Sequence, residues 1–189
     1  MSRSKTYKPN EALNAAMCLF WRRGFAETSY GDLTRETGVS RKGLYSSFGD
    51  KRSLFIKSLR HYRQNNAIEF LSELDEPEAD LKAIKAMFLR IASLAKSTSG
   101  RTGCFMANTA NDEMSSDPDV EKEIRAHLNH LSKRFKTVLE RSGYEKSRAI
   151  SLANYFTGLL QGLFVFAHAG ADKRLIDSYV TEGLKVVEG

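Results

Sequence analysis

Apolar side chains recur every three or four positions along almost the whole chain, the period of helices that bury one face. The first stripe is Leu13, Met17 and Phe20 over residues 10–23, ended by Gly24. Two very short helices follow. Ser29 before Tyr30, with Asp32 three residues on, is an acidic form of the capping box; it starts a helix that buries Leu33 and stops at Gly38. Val39 is left to plug the space between helices. Ser40 caps a second helix, Arg41 to about Phe48, held on one side by Leu44 and Phe48 alone. Asp50 then caps a long helix, Lys51 to about Leu74, with Phe55, Leu59 and Tyr62 inward.

After an acidic break around Pro77, the positions Leu81, Ile84, Phe88, Ile91 and Ala95 keep helical spacing, widened by Met87 and Leu94. Ser97 to Gly103 reads as a loop and Cys104 to Met114 as a shorter helix. Asp117 followed by Pro118 is a strong start signal for a helix that buries Val120, Ile124, Leu128, Leu131, Phe135 and Val138. Leu152 to Ala169 is apolar on nearly every side, yet Asn154, Thr157, Gln161 and His168 interrupt it, which argues against a membrane span. It reads instead as a helix buried on two sides, by its own core and by a second copy, with Gly158 and Gly162 permitting close approach. A closing helix, Asp172 to Val187, with Leu175, Ile176, Tyr179 and Leu184, would complete a four-helix interface.

Two short helices joined by a tight turn can lay the second of them in a DNA groove. Charge agrees with that use. Residues 1–60 hold 12 Lys+Arg and 5 Asp+Glu, net +7, whereas residues 61–189 hold 17 and 18, net −1, and the two sum to the chain's +6. All the excess positive charge travels with the motif, as a phosphate-binding module requires. Gly43 inside the second helix costs about 1 kcal/mol relative to alanine, which makes sense where the backbone must approach something closely. The plainer reading, short surface helices with solvated charge, explains neither feature. Met1 to Lys8, with Arg3, Lys5 and Lys8, reads as a basic arm along the DNA. The expected fold is all-α: a three-helix, helix-turn-helix DNA-binding domain over residues 1–50, then a helical effector-binding and dimerisation domain over 51–189, about nine helices in all.

The succession Gly24-Phe25, Thr28-Ser29, Leu33, Gly38-Val39-Ser40, Gly43-Leu44-Tyr45, Phe48, Lys51 and Leu54-Phe55 resembles the amino-terminal domain of TetR-type (tetracycline-repressor family) transcriptional regulators, over about residues 9–63. Gly103-Cys104-Phe105, Asn108-Thr109-Ala110 and Asp117-Pro118 are similar to one subset of that family. The resemblance implies a homodimer on double-stranded operator DNA, commonly a repressor, released when an effector binds the larger domain. It also implies roles for single residues. Ser29 and Tyr45 would bond phosphates, and Lys51 would meet a phosphate at its helix start. Ser40, Arg41, Lys42, Gly43 and Ser47 would face base edges or adjacent phosphates, with Tyr30 touching DNA from the preceding helix. Arg41 or Lys42 suits guanine, whose two major-groove acceptors match a cationic donor. A nonspecific architectural DNA binder is the alternative.

For the effector, candidate pocket walls are Met87, Phe88, Phe105, Tyr155, Leu159, Phe164 and His168, although such side chains at helical spacing also make plain core. Cys104 stands at a helix start three residues from Arg101, a setting that favours thiolate, and the similar subset includes regulators that sense electrophiles through a cysteine in this region. A buried, inert cysteine is the other reading; Cys18 reads as packing. Glu123, His127 and His130 share one helical face, but we read it as solvated and expect no metal and no cofactor. No Gly-x-Ser-x-Gly elbow, phosphate-cradling glycine loop, His-Glu-x-x-His or Cys-x-x-Cys is present, so nothing points to an enzyme. Two cysteines and no apolar leader suggest a reduced, cytoplasmic protein.

Overall fold

The computed structural model describes residues 8–65, 71–97 and 99–187. Among these residues there is no strand and there are nine α-helices: α1 Pro9–Arg23, α2 Tyr30–Thr37, α3 Arg41–Phe48, α4 Lys51–Gln64, α5 Leu81–Ala95, α6 Phe105–Ala110, α7 Pro118–Arg141, α8 Lys146–Ala169 and α9 Lys173–Leu184. The start signals read from the sequence operate as physical caps. Ser29 Oγ accepts the Asp32 amide and the Asp32 carboxylate accepts the Ser29 amide, both at 3.1 Å. Ser40 caps α3 through Gly43 N at 3.2 Å, Asp50 caps α4 through Ser53 N at 2.8 Å, and Asp117 caps α7 with Pro118 at its first position. Gly38 ends α2 with φ +69°, the left-handed conformation that a side chain would strain.

Two spans differ from the sequence reading. Helix α4 stops at Gln64, with the Asn65 amide closing on His61 O, and Ser72–Leu74 is a separate 3-10 turn, so the helix does not reach Leu74. Residues 66–70 between them, and residues 1–7 of the basic arm, lie outside the described residues. Helix α6 ends at Ala110, because a second 3-10 turn at Glu113–Ser116 is built on the Asp112 cap.

Buried side chains form two clusters. The first gathers α1 to α4, and it also takes in Cys104, Phe105, Met106, Ala107 and Val120. Phe55 sits at its centre, edge-to-face with Phe20 at 5.1 Å and with Phe105 at 5.7 Å. The short helix α6 is thereby wedged against the motif's own core. The second cluster is built around Phe88, Phe135 and Phe156, with centroids 5.7 to 6.0 Å apart, from α5, α7 and α8.

Helix α7 is turned relative to the sequence reading. Glu123 and His127, assigned to a solvated face, are 3% and 2% exposed, while Ile124 and Leu128 are only partly covered. The cause lies on α4. Arg60 and Arg63 reach the Glu123 carboxylate at 2.7 and 3.0 Å, so the buried charge is paired on both oxygens. One end of the same seam is closed by Arg52, which holds Asp117 and Asp119 at 2.6 Å each. Spacing within one helix cannot announce a charge whose partners sit sixty residues away.

His127 lies one turn beyond Glu123. Burial, reinforced by the positive fields of His130 and Arg63, pushes its imidazolium down to about 4 from an ordinary 6.5. The unfolded chain then takes up the proton first as pH falls, so stability held above pH 6.5 is lost progressively down to about pH 4. The full loss is about 3 kcal/mol at the conversion of 1.36 kcal/mol per pH unit. Urea titrations at pH 7.0 and pH 4.5 should show that loss in the native chain and a smaller one in His127→Phe.

Helix α8 is the one described helix long and apolar enough to cross a membrane, by length and composition alone. Its inner side places nine side chains in the core. Gly162 is close-packed within the chain, since a Cβ there would collide with Tyr179 Oη of α9. The expectation that Gly162 serves a second copy is therefore corrected. Gly158 has open space above it and shares the outer side with Ile150, Tyr155 and Val165, each more than 40% exposed.

Candidate nucleic-acid interface

Helix α3 is anchored by Leu44 and Phe48, 1% and 6% exposed, and everything else on it lies at or near the surface. Arg41, Lys42, Tyr45 and Ser47 are on the exposed side, and the Tyr45 ring is 64% exposed, the most open large apolar side chain described. Leaving a phenol in water has no folding benefit. Its hydroxyl, at the edge of a cationic helix, suits a phosphate oxygen.

The cations around α3 are held in place. Arg41 lies over the Tyr30 ring of α2, 4.4 Å from its centroid, so the two short helices present one joined surface. The Lys51 ammonium stands 4.2 Å above the Phe25 ring at the start of α4. Lys57 Nζ donates to Phe48 O at 3.1 Å and closes the carboxyl end of α3. The reading of the sequence missed Lys57 and the Arg41–Tyr30 stack because each joins two different helices and carries no local spacing signal.

Ser29 is less open to solvent partners than its position suggests. Its hydroxyl donates to Asp32 Oδ2 at 2.5 Å, and that bond, before the fields of Arg23 and Arg35, holds the Asp32 carboxyl below its usual range. Ser40 likewise uses its hydroxyl as a cap, and Gly43 sits half-covered beneath it. The residues named from the sequence as Ser29, Tyr30, Ser40, Arg41, Lys42, Gly43, Tyr45, Ser47 and Lys51 thus lie on α2, α3, their caps and the start of α4.

The residues named for an effector do not share one cavity. Met87 and Phe88 are wholly buried core, Phe105 belongs to the motif's core, and Leu159 packs under Gly183. Tyr155 is on the outer side of α8, and His168 Nδ1 lies 3.1 Å from Arg101 O beside a different groove. Cys104 and Phe164 do meet, around a small cavity with Tyr62 and His127. Cys104 is 1% exposed, and burial pushes its thiol up; the Arg101 guanidinium lies against Gly170 instead. Of the two sequence readings of Cys104, this setting agrees with the buried, unactivated thiol and not with the thiolate. Among the described residues no group of three or more His, Cys, Asp or Glu is placed to hold a metal.

Comparison with known proteins places this geometry. Residues 12–57 match the family model for bacterial regulatory proteins of the tetR family, and residues 81–181 match that of the LmrA/YxaF-like transcriptional regulator C-terminal domain. The chain is 25% identical to the HTH-type transcriptional regulator YezE of Bacillus subtilis, over all of both chains. It is 27% identical to the HTH-type transcriptional repressor ComR of Escherichia coli, over 89% of this chain and 83% of that one. In fold it is similar to a cysteine mutant of the TetR-family regulator CifR complexed with 26-bp double-strand operator DNA. The TM-score is 0.83 at 22% identity, over 98% of this chain and all of that one. A TetR-family regulator from Agrobacterium tumefaciens superposes with TM-score 0.76 at 25% identity, over 94% and 95% of the two chains. A capped two-helix reader, a cationic α4 and a helical second half matched over most of its length leave one assignment: the chain is a DNA-binding transcriptional regulator of the TetR family and not an enzyme.

Proposed function

We propose that the chain acts in the cytoplasm as a homodimeric repressor that binds a palindromic operator and is released by a small-molecule effector, with modification of Cys104 as a second route to release. Residues 1–50 form the reading unit and 51–189 the sensing and pairing unit. The observation that carries the proposal is the outward side of α3, where Arg41, Lys42, Tyr45 and Ser47 are presented by a helix anchored through only two side chains. One such helix offers few base contacts, whereas two related by a twofold axis and about 34 Å apart read successive turns of the duplex. The open stripe around Gly158 and Val165 on α8, with Leu175 on α9, supplies the pairing surface. Tyr45 and Lys51 contact phosphates, Tyr30 touches DNA from α2, whose start Ser29 holds through its bonds to Asp32, and Arg41 or Lys42 reads guanine.

Release follows if the effector favours the arrangement in which the two α3 helices no longer match the groove, to the extent of its preference for that state. Because the Cys104 thiol is buried, alkylation should be slow in the resting protein; full alkylation that leaves operator affinity intact would remove the thiol route.

Fluorescence anisotropy with operator and random duplexes tests the assignment of α3. Tyr45→Phe should weaken both by a similar factor of roughly three to ten, the worth of one phosphate bond. Arg41→Ala should weaken operator binding by about 1–3 kcal/mol and flatten preference at one base position, with a smaller loss on random DNA. Equal losses on the two duplexes for Arg41→Ala would favour a nonspecific architectural binder.

A further inference from the structure

A cleft of about 390 Å³ runs along the seam between α1 and the second half of the chain. Cys18, Trp21 and Arg22 of α1 form one side, and Ile91, Leu94, Ala95 and Phe164 are prominent on the other. The volume is that of a small-molecule site, and the walls are mostly apolar, with Thr102 and Arg22 as the polar members and Arg22 engaged with Glu36 at 2.6 Å. Behind Ile91 and Phe164, which line both spaces, is a cavity of about 10 Å³, the room of a single water.

That inner cavity is lined by Tyr62, Cys104 and His127 with otherwise apolar neighbours, and it contains no acid and no cation. Tyr62 Oη donates to Cys104 Sγ at 3.5 Å, and Cys104 Sγ lies 3.8 Å from His127 Nε2, a contact whose direction is set by the tautomer of the ring; with the thiol as donor, Nε2 is the acceptor. A neutral ring that accepts at Nε2 carries its proton on Nδ1. His127 Nδ1 is buried and has no partner. A buried donor without an acceptor is costly, at about 1–3 kcal/mol, and the group that satisfies it is an acceptor without charge.

We infer that the seam cleft and the cavity behind Phe164 are two parts of one site for an uncharged, largely apolar molecule bearing a single carbonyl oxygen. Turning the half-buried Phe164 ring joins them. The apolar body lies against Trp21, Leu94 and Ala95, and the oxygen accepts the Nδ1 hydrogen of His127. Carboxylates and ammonium ions are excluded, since the inner cavity has no counter-charge and desolvating either costs far more than one hydrogen bond returns. This inference rests on the effector reading above and names the ligand class. It also places the effect, because Trp21 and Cys18 belong to the helix that braces the DNA-reading motif.

The test uses the full chain and four eight-carbon probes: 2-octanone, 1-octanol, octanoate and octylammonium. Binding is followed by calorimetry, and emission of Trp21, the chain's one tryptophan, reports occupancy of the cleft. We expect 2-octanone to bind saturably and change Trp21 emission, 1-octanol to bind more weakly, and both ions to bind at least roughly tenfold more weakly than the ketone. His127→Phe should erase the preference for ketone over alcohol. Leu94→Glu, at a side chain already 41% exposed and so tolerant of charge, should weaken the ketone by roughly tenfold with the fold intact. Octanoate binding as well as the ketone, or ketone binding untouched by both substitutions, would overturn the inference. Saturable ketone binding with unchanged operator affinity would uphold the site and count against the effector reading instead.

Discussion

Replacing Gly158 with glutamate should leave each subunit folded, or slightly more stable, and yet reduce operator affinity by roughly a hundredfold or more, the scale on which two linked sites exceed one. The argument starts from the cost of the residue. Glycine inside an exposed helix is about 1 kcal/mol worse than alanine, and nothing within 4 Å of its added Cβ position excuses it in the single chain. Its neighbours on the same side, Tyr155 and Val165, are apolar and more than 40% exposed. Close approach of a twofold-related α8 accounts for both. A buried glutamate facing its own symmetry mate has no partner charge, so the pair separates while the isolated helix gains propensity. Analytical ultracentrifugation and operator titration should report the two losses together, with binding to random DNA only modestly changed. A dimer that survives Gly158→Glu would move the pairing surface elsewhere.

The second large effect is expected at the seam between α4 and α7. Changing Arg60 and Arg63 together to methionine leaves the Glu123 carboxylate buried without its cations, at a cost of about 3–5 kcal/mol near neutral pH. The two long apolar replacements keep most of the packing, so the loss is electrostatic. Glu123→Gln in the double variant should restore most of the stability at pH 7. Thermal melts of the double and triple variants decide this. A deficit that Glu123→Gln leaves in place would mean that the arginine stems, and not the charges, carry the contact.

The motif was readable from local chemistry because each of its signals is local: a cap and its partner lie three residues apart, and Gly38, Leu44 and Phe48 act within one or two turns. The same holds for Asp117 and Pro118 at the head of α7. What escaped was set by partners distant in sequence. The apolar period of α7 pointed to Ile124 and Leu128, and two arginines on α4 drew Glu123 inward instead. Gly162 looked like a site for a second copy until Tyr179 was found above it. Cys104 at a helix start looked activated, but the helix is one wedged into the core, and burial outweighs the favourable bond from Tyr62. The effector residues were chosen for aromatic and sulfur character, which core and cavity share, and the chain sorts them into both.

The central claim is that two copies of α3, related by a twofold axis, read DNA by sequence. Selection of duplexes from a random pool by the full-length chain tests it most directly. The expected outcome is enrichment of an inverted repeat whose half-site centres are about one helical turn apart, 10–10.5 base pairs, or a whole multiple of that. The same pool passed over Arg41→Ala should yield the same repeat with one position per half-site relaxed. A pool that stays random after repeated selection, or one that converges on an unsymmetrical single site, would contradict the account.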